Sequence, residues 1–354
     1  MRRFGSIQIL RALAAMAVAL FHACQWAHLD FALGAAGVDV FFVISGFVLW
    51  TAAQARPVSA LAFLAARFKR VAPLYWIVTL IVAAIAWRAP QVLPIVHPGA
   101  RHLVLSLLFL PHTDPVGDPF PLLPTGWTLT YEAFFYAAFA IALAAPRDRR
   151  LQVLSGLLLA ASLLGFGYHG WYTLLANPLL LEFLAGVGLA RLWARGSLQR
   201  AGRALGPVLI GAALLVLAAL QLGGVRDDFW RPVLWGPPAV MIVAGALKLE
   251  ADGRLKGGRI DRALQAVGDA SYSLYLIQAP LIAAFAWMTP GLPAAIKAPL
   301  GLALAICAGL ACYRWIERPI SSVVGRHGHA RGGRGVGFGP AEQEALAVVD
   351  ADLA

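Results

Sequence analysis

Ten apolar runs, most of them about as long as a membrane-spanning helix, restrict what this chain can fold into. A helix that crosses the hydrocarbon core needs about 20 mostly apolar residues. The runs occupy 7–26, 35–53, 71–87, 126–145, 151–168, 178–193, 206–222, 231–249, 267–289 and 296–316. With 60% hydrophobic and only 13% charged residues, the chain has too little polar surface for an ordinary soluble protein. We therefore predict an all-α integral membrane protein with ten transmembrane helices.

Two further apolar features need separate interpretation. The stretch from Leu103 to Pro111 is too short to cross, so we expect a loop there with an interfacial or re-entrant piece. The first run follows two arginines as a signal peptide would, but Arg11 lies inside the run and another apolar run follows it. We interpret the first run as an uncleaved transmembrane helix.

Lysine and arginine are distributed unevenly between alternate loops. Of the 29 basic residues, 23 lie on one side of the ten predicted helices and five on the other, and Arg11 lies within the first helix. Because positively charged loops stay in the cytoplasm, both termini are predicted to be cytoplasmic. The net charge of +11 comes from these loops and not from a basic face interleaved with aromatic residues, which argues against nucleic-acid binding.

The carboxyl-terminal part of the chain has a different composition. From Ser321 it becomes rich in Gly and Arg, which predicts a disordered cytoplasmic tail over 321–354 after one transmembrane domain over 1–320. The three cysteines lie in apolar runs and lack the paired spacing of a zinc site or a disulfide framework. The histidines show no metal-ligand spacing either. We therefore expect no bound metal.

Two ionisable residues share one face of the first predicted helix. Arg11 and His22 are eleven residues apart, which separates them by about 20° around the helix and roughly 16 Å along it. Ionisable groups inside a membrane are costly and indicate function, and an imidazole is suited to deprotonating a hydroxyl at neutral pH. The alternative is that Arg11 extends to the inner headgroups while His22 hydrogen-bonds a neighbouring helix.

Three carboxylates, Asp39, Glu132 and Glu182, are predicted at the same outer level as His22. Glu132 can orient the imidazole or serve as a second acid–base group. The alternative for Glu132 is a structural carboxylate paired with a donor on another helix. We interpret Asp39 and Glu182 as mainly structural.

A basic cluster abuts the third predicted helix on its cytoplasmic side. Arg67, Lys69 and Arg70 come just before the helix start, where backbone N–H groups and the helix dipole also favour anions. The cluster is suited to the phosphates of a cytosolic donor. Ordinary anchoring of a helix on the cytoplasmic side is the alternative.

Five short motifs follow one another along the chain. The first is Arg11, ten residues and then His22, and the second runs from Gly37 to Phe47. The other three are the segment Arg67 to Tyr75, the run Trp127-Thr128-Leu129-Thr130-Tyr131-Glu132 and the run Ser271-Tyr272-Ser273-Leu274-Tyr275-Leu276. Together, over about residues 5–320, they resemble the membrane-bound acyltransferase-3 family and, among its members, the exopolysaccharide O-acetyltransferases.

This resemblance implies an activity and a set of site residues. It implies that His22 carries acyl transfer with Arg11 required beside it, and it adds Glu132 as a catalytic candidate. The donor would be a cytoplasmic acyl-CoA, usually acetyl-CoA, acting as co-substrate, with no cofactor bound. Donor binding would fall to Arg67, Arg70 and Tyr75, and the motifs would be supported by Asp39, Ser45, Gly46, Trp127 and Tyr275.

The resemblance also implies an acceptor and a location. The acceptor would be a hydroxyl on an exopolysaccharide, on another cell-surface glycan or on a lipid-linked sugar. The protein would lie among the lipids of the bacterial inner membrane, where polysaccharide assembly proteins are further potential partners. Three positions depart from the family pattern, because Gln278 replaces a common His, Ala66 replaces the first Arg of a pair, and Gln8 replaces a common Asp. No role is carried over to these three positions.

Two other functions use the same residues. A proton-coupled transporter or flippase would also need buried histidine and carboxylates. Transporters place such groups near the midplane and often contain internal repeats, whereas here the groups are predicted near the outer third and we find no repeat. A catalytically idle scaffold in a polysaccharide assembly complex is the third alternative. We expect an O-acyltransferase.

Overall fold

The part of the chain that the structure describes is built from helices. A computed structural model describes residues 4–55, 57–165, 177–224, 231–255 and 257–322, and these ranges contain no strand. The predicted all-α class is confirmed. The α-helices are α1 Gly5–Trp26, α2 Ala36–Ala55, α3 Ala60–Arg88, α4 Ala100–Leu107, α5 Trp127–Ala144, α6 Arg150–Gly165, α7 Leu180–Ala194, α8 Ser197–Arg200, α9 Leu205–Leu222, α10 Arg231–Leu234, α11 Gly236–Ala251, α12 Arg259–Asp269, α13 Ser271–Met288 and α14 Ala294–Cys312.

Eight helical stretches are long and apolar enough to cross a membrane within the described ranges. They are Gly5–Trp26, Ala32–Ala55, Ala60–Arg88, Pro124–Ala144, Leu205–Leu222, Arg231–Ala251, Ser271–Met288 and Ala294–Ser322. The last stretch is long because α14 continues through the π-helical turn Tyr313–Glu317.

The other two predicted spans, 151–168 and 178–193, correspond to shorter helices. These are α6, with 16 residues, and α7, with 15 residues. At 1.5 Å per residue each is about 22–24 Å long, less than the roughly 30 Å of the hydrocarbon core. The chain between them, 166–176, lies outside the described residues.

The stretch that we predicted to be too short to cross contains the eight-residue helix α4. The indole N–H of Trp76 donates to the carbonyl oxygen of Leu107 at 2.7 Å. Trp76 is twelve residues from the end of α3 at Arg88, or about 18 Å along the helix axis. The end of α4 therefore packs on the middle of α3, and its re-entrant position in a membrane stays a prediction.

Contacts between residues divide the chain into two compact units. The first comprises Ala52–Leu180 and the chain from Ala311 onward, and the second comprises Arg2–Thr51 and Leu181–Leu310. In the first unit, α3 packs on α4 and α5, and α5 packs on α6. In the second unit, α1 packs on α11, α12 and α13, and α11 packs on α9.

The second unit contains a very close crossing of α2 and α7. A Cβ atom on Gly46 would lie 2.0 Å from the carbonyl oxygen of Phe183, and one on Gly186 would lie 2.1 Å from that of Val43. The rings of Phe42 and Phe183 pack beside this crossing with centroids 4.6 Å apart. Small residues let membrane helices approach closely, so this crossing accounts for glycine at position 46 of the second motif.

Two predictions concern chain organisation. The predicted tail over 321–354 lies almost wholly outside the described residues, which end at Ser322. The bounds of the predicted transmembrane domain, 1–320, also stay a prediction.

Replacing the glycine at the α2–α7 crossing should destabilise the protein. For Gly46→Ala we expect a loss of about 1–3 kcal/mol of folding free energy, because the added methyl group cannot fit without separating the two helices. Thermal unfolding of the purified protein in detergent measures this loss. Gly188→Ala is the matched control on α7, since a Cβ there meets no atom within 4 Å, and it should be neutral or stabilising. Equal unfolding temperatures for the two variants would contradict the close crossing.

Candidate functional site

The Arg11 side chain joins the first and the last of the five motifs. It is only 6% exposed, and its Nε donates to Oγ of Ser271 at 3.1 Å. Ser271 is the first residue of α13 and is fully buried. A buried guanidinium must be hydrogen-bonded to be tolerated, so this contact fixes both the side chain of Arg11 and the start of α13 against α1.

His22 lies three turns beyond Arg11 on the same helix, four residues before the end of α1. Its Nδ1 lies 3.4 Å from Oε1 of Gln25, and the edge of its ring meets the ring of Phe21. Since an amide oxygen can only accept, Nδ1 carries the hydrogen in this contact and Nε2 of a neutral ring is then the unprotonated nitrogen. The arrangement leaves Nε2 chemically suited to accept a proton.

Asp39, from the second motif, is held by an arginine that sequence reasoning did not assign to it. Nε and Nη2 of Arg231 donate to the two carboxylate oxygens of Asp39 at 3.1 and 2.7 Å. Nη2 also donates to the carbonyl oxygen of Ala35, and the guanidinium lies over the ring of Trp235. Asp39 is fully buried, so this bidentate pair removes an otherwise costly buried charge.

Glu182 joins the same ion cluster. Its carboxyl group is 3% exposed and interacts with both Asp39 and Arg231. Unlike Asp39, Glu182 has no hydrogen bond to either carboxyl oxygen within the described part of the chain. The structure thus brings together Asp39 and Glu182, two of the four groups predicted at one level of the membrane.

In the first unit, Arg67 and Glu132 meet at a tyrosine that the sequence did not single out. The hydroxyl of Tyr136 donates to Oε1 of Glu132, and it also hydrogen-bonds the side chain of Arg67. Arg67 is only 1% exposed, and the ring of Phe63 packs edge-on against Tyr136. The Tyr136 hydroxyl therefore contacts both Arg67, which is predicted to bind the donor, and Glu132, which is predicted to act in acid–base chemistry.

Arg70 also has a carboxylate partner. Its Nη1 donates to Oε1 of Glu317, which is 2% exposed and lies in the π-helical turn after α14. This ion pair ties α3 to the end of the last helix within the first unit. The guanidinium of Arg70 would have to bind a donor phosphate while paired with this carboxylate.

The prediction that Arg67, Lys69 and Arg70 come just before a helix start is wrong. Helix α3 begins at Ala60, so these residues lie beyond its first four residues, where backbone N–H groups are bonded within the helix. Free N–H groups at a helix start therefore do not contribute to anion binding at this cluster.

Tyr75 is fixed by contacts at both ends of its ring. Its hydroxyl donates to the carbonyl oxygen of Ser106 at 3.1 Å, and the ring of Phe109 stacks on it with centroids 4.8 Å apart. A Cβ on Gly126 would lie 2.7 Å from the Tyr75 ring. Tyr75 therefore anchors α4 and the turn that precedes Trp127.

The remaining motif residues have packing contacts. Trp127 packs edge-on against Tyr131 one turn later, with centroids 5.7 Å apart. Tyr275 is 8% exposed and meets the ring of Phe41 at 6.0 Å. Ser45 is partly exposed on α2 beside Gly46. The roles of these residues in activity stay predictions.

Two buried histidines lie in the connection that contains α4. Nδ1 of His102 and Nε2 of His112 are 2.8 Å apart, and Nδ1 of His112 is 2.8 Å from the carbonyl oxygen of Leu110. A carbonyl can only accept, so Nδ1 of His112 carries the hydrogen and its Nε2 accepts from His102. Burial, and then repulsion from His112, lower the pKa of His102 to about 4, although Asp114 acts in the opposite direction.

A second pair continues this cluster. His97 Nδ1 lies 3.0 Å from Oδ2 of Asp114. Burial acts to raise the pKa of Asp114, but hydrogen bonds from the backbone of Asp118 and the ring of His97 outweigh it and hold the pKa below its usual value. The sequence analysis did not single out these histidines, because single positions in a loop carry no periodic signal. Among the described residues, no group of three or more His, Cys, Asp or Glu side chains could hold a metal ion.

The predicted catalytic residues belong to different units. His22 and Arg11 lie in the second unit, and Glu132 lies in the first. The described partner of the His22 ring is Gln25, and that of Glu132 is Tyr136. Orientation of His22 by Glu132 therefore stays a prediction.

Comparison with known proteins finds one matching family profile and two similar proteins. The sequence profile described as "Acyltransferase domain", of the acyltransferase-3 type, matches residues 4–314. The chain is 37% identical over 325 residues to the exopolysaccharide production protein ExoZ of Rhizobium meliloti (strain 1021), covering 88% of this chain and 96% of ExoZ. It is 26% identical over 336 residues to the acyltransferase MdmB of Streptomyces mycarofaciens, covering 83% and 82%. No solved structure matches the chain.

The buried histidine pair should make folding stability depend on pH. The unfolded chain takes up a proton at His102 near pH 6.5 and the folded protein near pH 4, so between these values the unfolded state binds more protons. The contribution of His102 to the free energy of unfolding should therefore be fully present above about pH 6.5 and should be lost as the pH is lowered toward 4. Thermal unfolding from pH 7.5 to 4.5 measures this.

His102→Asn keeps an N–H donor for His112 but cannot titrate, so its unfolding temperature should fall less over that range. His28→Asn is the control, because His28 is an exposed histidine with positive φ that asparagine tolerates. It should keep the slope of the wild type. Identical slopes for the wild type and His102→Asn would contradict a neutral buried pair.

Proposed function

This chain belongs to the membrane-bound acyltransferase-3 family, and we propose that it moves an acetyl group from cytoplasmic acetyl-CoA to a glycan hydroxyl. The observation that carries the proposal lies on α1, where Ser271 fixes Arg11 and His22 follows on the same face. The acceptor in this proposal is an exopolysaccharide, another cell-surface glycan or a lipid-linked sugar. The name of the similar ExoZ protein, which refers to exopolysaccharide production, supports this class of acceptor.

In the proposed reaction, the His22 imidazole takes up one proton and then returns it. Nε2 takes the proton of the acceptor hydroxyl while the oxygen attacks the thioester carbonyl carbon. A C–O bond forms, the C–S bond breaks, and the CoA thiolate recovers the proton from the imidazolium. The products are an O-acetyl ester and CoA, with no net proton released.

A second route uses the imidazole as nucleophile. Nε2 attacks the thioester carbonyl carbon, the C–S bond breaks, and CoA leaves as a thiolate while acetyl-His22 forms. The oxygen of the acceptor hydroxyl then attacks the acetyl carbon and the C–N bond to His22 breaks. The hydroxyl proton is transferred to the thiolate, which gives CoA. An acetyl group bound to His22 after a single turnover without acceptor would establish this route, and its absence would favour direct transfer.

Other residues have supporting roles in the proposal. The phosphates of CoA bind near Arg67 and Arg70, and Tyr75 keeps the surrounding backbone in place. Glu132 is the second acid–base group, and the hydrogen bond from Tyr136 to Glu132 supports a fixed position for that carboxylate. Acetyl-CoA is consumed as a co-substrate.

We also propose ten transmembrane helices with both termini in the cytoplasm of a bacterial inner membrane. The distribution of 23 basic residues on one side and five on the other supports this topology. Here α6 and α7 cross despite their length, because a short helix can be accommodated by local thinning of the bilayer.

A cysteine introduced at Asn177, between α6 and α7, would then react with an impermeant thiol reagent from outside, and no reaction would favour eight spans.

Release of free CoA from acetyl-CoA by the purified protein tests the proposed activity. With a glycan acceptor present, His22→Ala should lower kcat by about 10²- to 10⁴-fold, since it removes the proposed base or nucleophile. His28→Asn changes an exposed histidine just after the end of α1 and should retain wild-type activity. If the wild type releases no CoA with any acceptor, substrate flux in sealed vesicles without an acyl donor would instead identify a transporter.

A further inference from the structure

Gln278 is a buried amide without a hydrogen-bond partner in the described part of the chain. Its side chain is 0% exposed, and neither Oε1 nor Nε2 is hydrogen-bonded there. Leaving a buried amide unpaired costs free energy, and native proteins rarely keep such groups without a reason. The mechanism proposed above makes no use of Gln278.

The surroundings of Gln278 explain why it lacks a partner. It lies between Leu274 and Ile282 at four-residue spacing, so the three side chains form one ridge along α13. Leu274 and Ile282 pack in a buried hydrophobic cluster whose buried members from α1 are three alanines and one cysteine: Ala15, Ala19, Ala23 and Cys24. The α1 members of this cluster offer no amide, carboxylate or hydroxyl group.

Helix α14 adds more small residues at the same level. A Cβ on Gly309 would lie 2.8 Å from Leu274, and one on Gly301 would lie 3.8 Å from Ile282. Ala305 is midway between these glycines and is fully buried. The ridge position of Gln278 therefore corresponds to Ala305 on α14, again a side chain that cannot hydrogen-bond.

Gln278 also lies between the levels of Arg11 and His22. Ser271, which accepts from Arg11, is seven residues before Gln278, so the two share a face of α13 and are about 10 Å apart along it. A Cβ on Gly301 would contact both Ala23 and Ile282, which places those residues at one level. Helices α1 and α13 therefore run in the same direction, and Gln278 lies past Arg11 and short of His22.

We propose that Gln278 binds a secondary amide of the pantetheine arm of the acyl donor, an inference that rests on the proposed function. In that function the phosphates of CoA bind toward the cytoplasm and the thioester reaches His22. The uncharged arm between them carries two secondary amides. Each has one N–H and one C=O, which complement the C=O and NH₂ of the Gln278 side chain.

Gln278→Leu tests this assignment, because leucine has similar volume and no hydrogen-bonding groups. Replacing an unpaired buried amide with an apolar side chain should leave the unfolding temperature unchanged or raise it. The KM for acetyl-CoA should rise about 5- to 30-fold, which corresponds to one or two lost hydrogen bonds. The KM for the glycan acceptor should stay the same.

A donor without amides provides a second comparison. With S-acetyl-2-mercaptoethanol, wild type and Gln278→Leu should transfer acetyl groups at equal rates, since neither can form the proposed contact. Gln199→Leu makes the same chemical change at an exposed position and should keep the wild-type KM for acetyl-CoA.

Three results would overturn the assignment. A lower unfolding temperature for Gln278→Leu would mean that the amide has a protein partner. A raised KM for the acceptor with an unchanged KM for acetyl-CoA would assign Gln278 to the acceptor, and no change in either would leave it without a ligand. If the wild type neither binds nor consumes acetyl-CoA, the proposed function fails and this inference fails with it. An active wild type with an unaltered donor KM in Gln278→Leu defeats the inference alone.

Discussion

Hydrocarbon offers neither hydrogen bonds nor solvation to a buried charge, so polar groups inside this protein must find partners within it. The bidentate pair of Arg231 with Asp39 meets this requirement, and so does the contact of Arg11 with Ser271. Each contact joins helices that are far apart in sequence, 192 residues in the first case and 260 in the second. Helix packing and the geometry of the candidate site therefore depend on each other, because the same contacts hold the helices together and position the site residues.

Much of the fold follows from hydropathy alone. Eight predicted spans correspond to long apolar helices, since length and apolar content are properties of a local segment. Hydropathy did not indicate that α6 and α7 have only 16 and 15 residues within the described part of the chain. Gly46 stood out in a motif, but its physical reason became clear only with the backbone of Phe183 against it.

The site could be predicted one helix at a time but not between helices. Periodicity places Arg11 and His22 on one face of α1, yet it says nothing about which helix faces them. Arg231 entered the sequence analysis only through the count of basic residues, because no local pattern links it to Asp39. The contact of Tyr136 with Glu132 could have been predicted from the sequence, since the two are four residues apart and such pairs meet on a helix. The unpaired state of Gln278 depends on all its neighbours, so only the folded structure reveals it.

In the proposed function, His22 transfers an acetyl group to a glycan. Measuring ester-linked acetyl groups on the surface glycan by NMR tests this transfer in cells. The glycan should come from cells that contain equal amounts of the wild type, His22→Ala or His28→Asn. We expect acetyl esters with the wild type and His28→Asn, and none above background with His22→Ala. Equal acetyl content in all three samples would contradict the account.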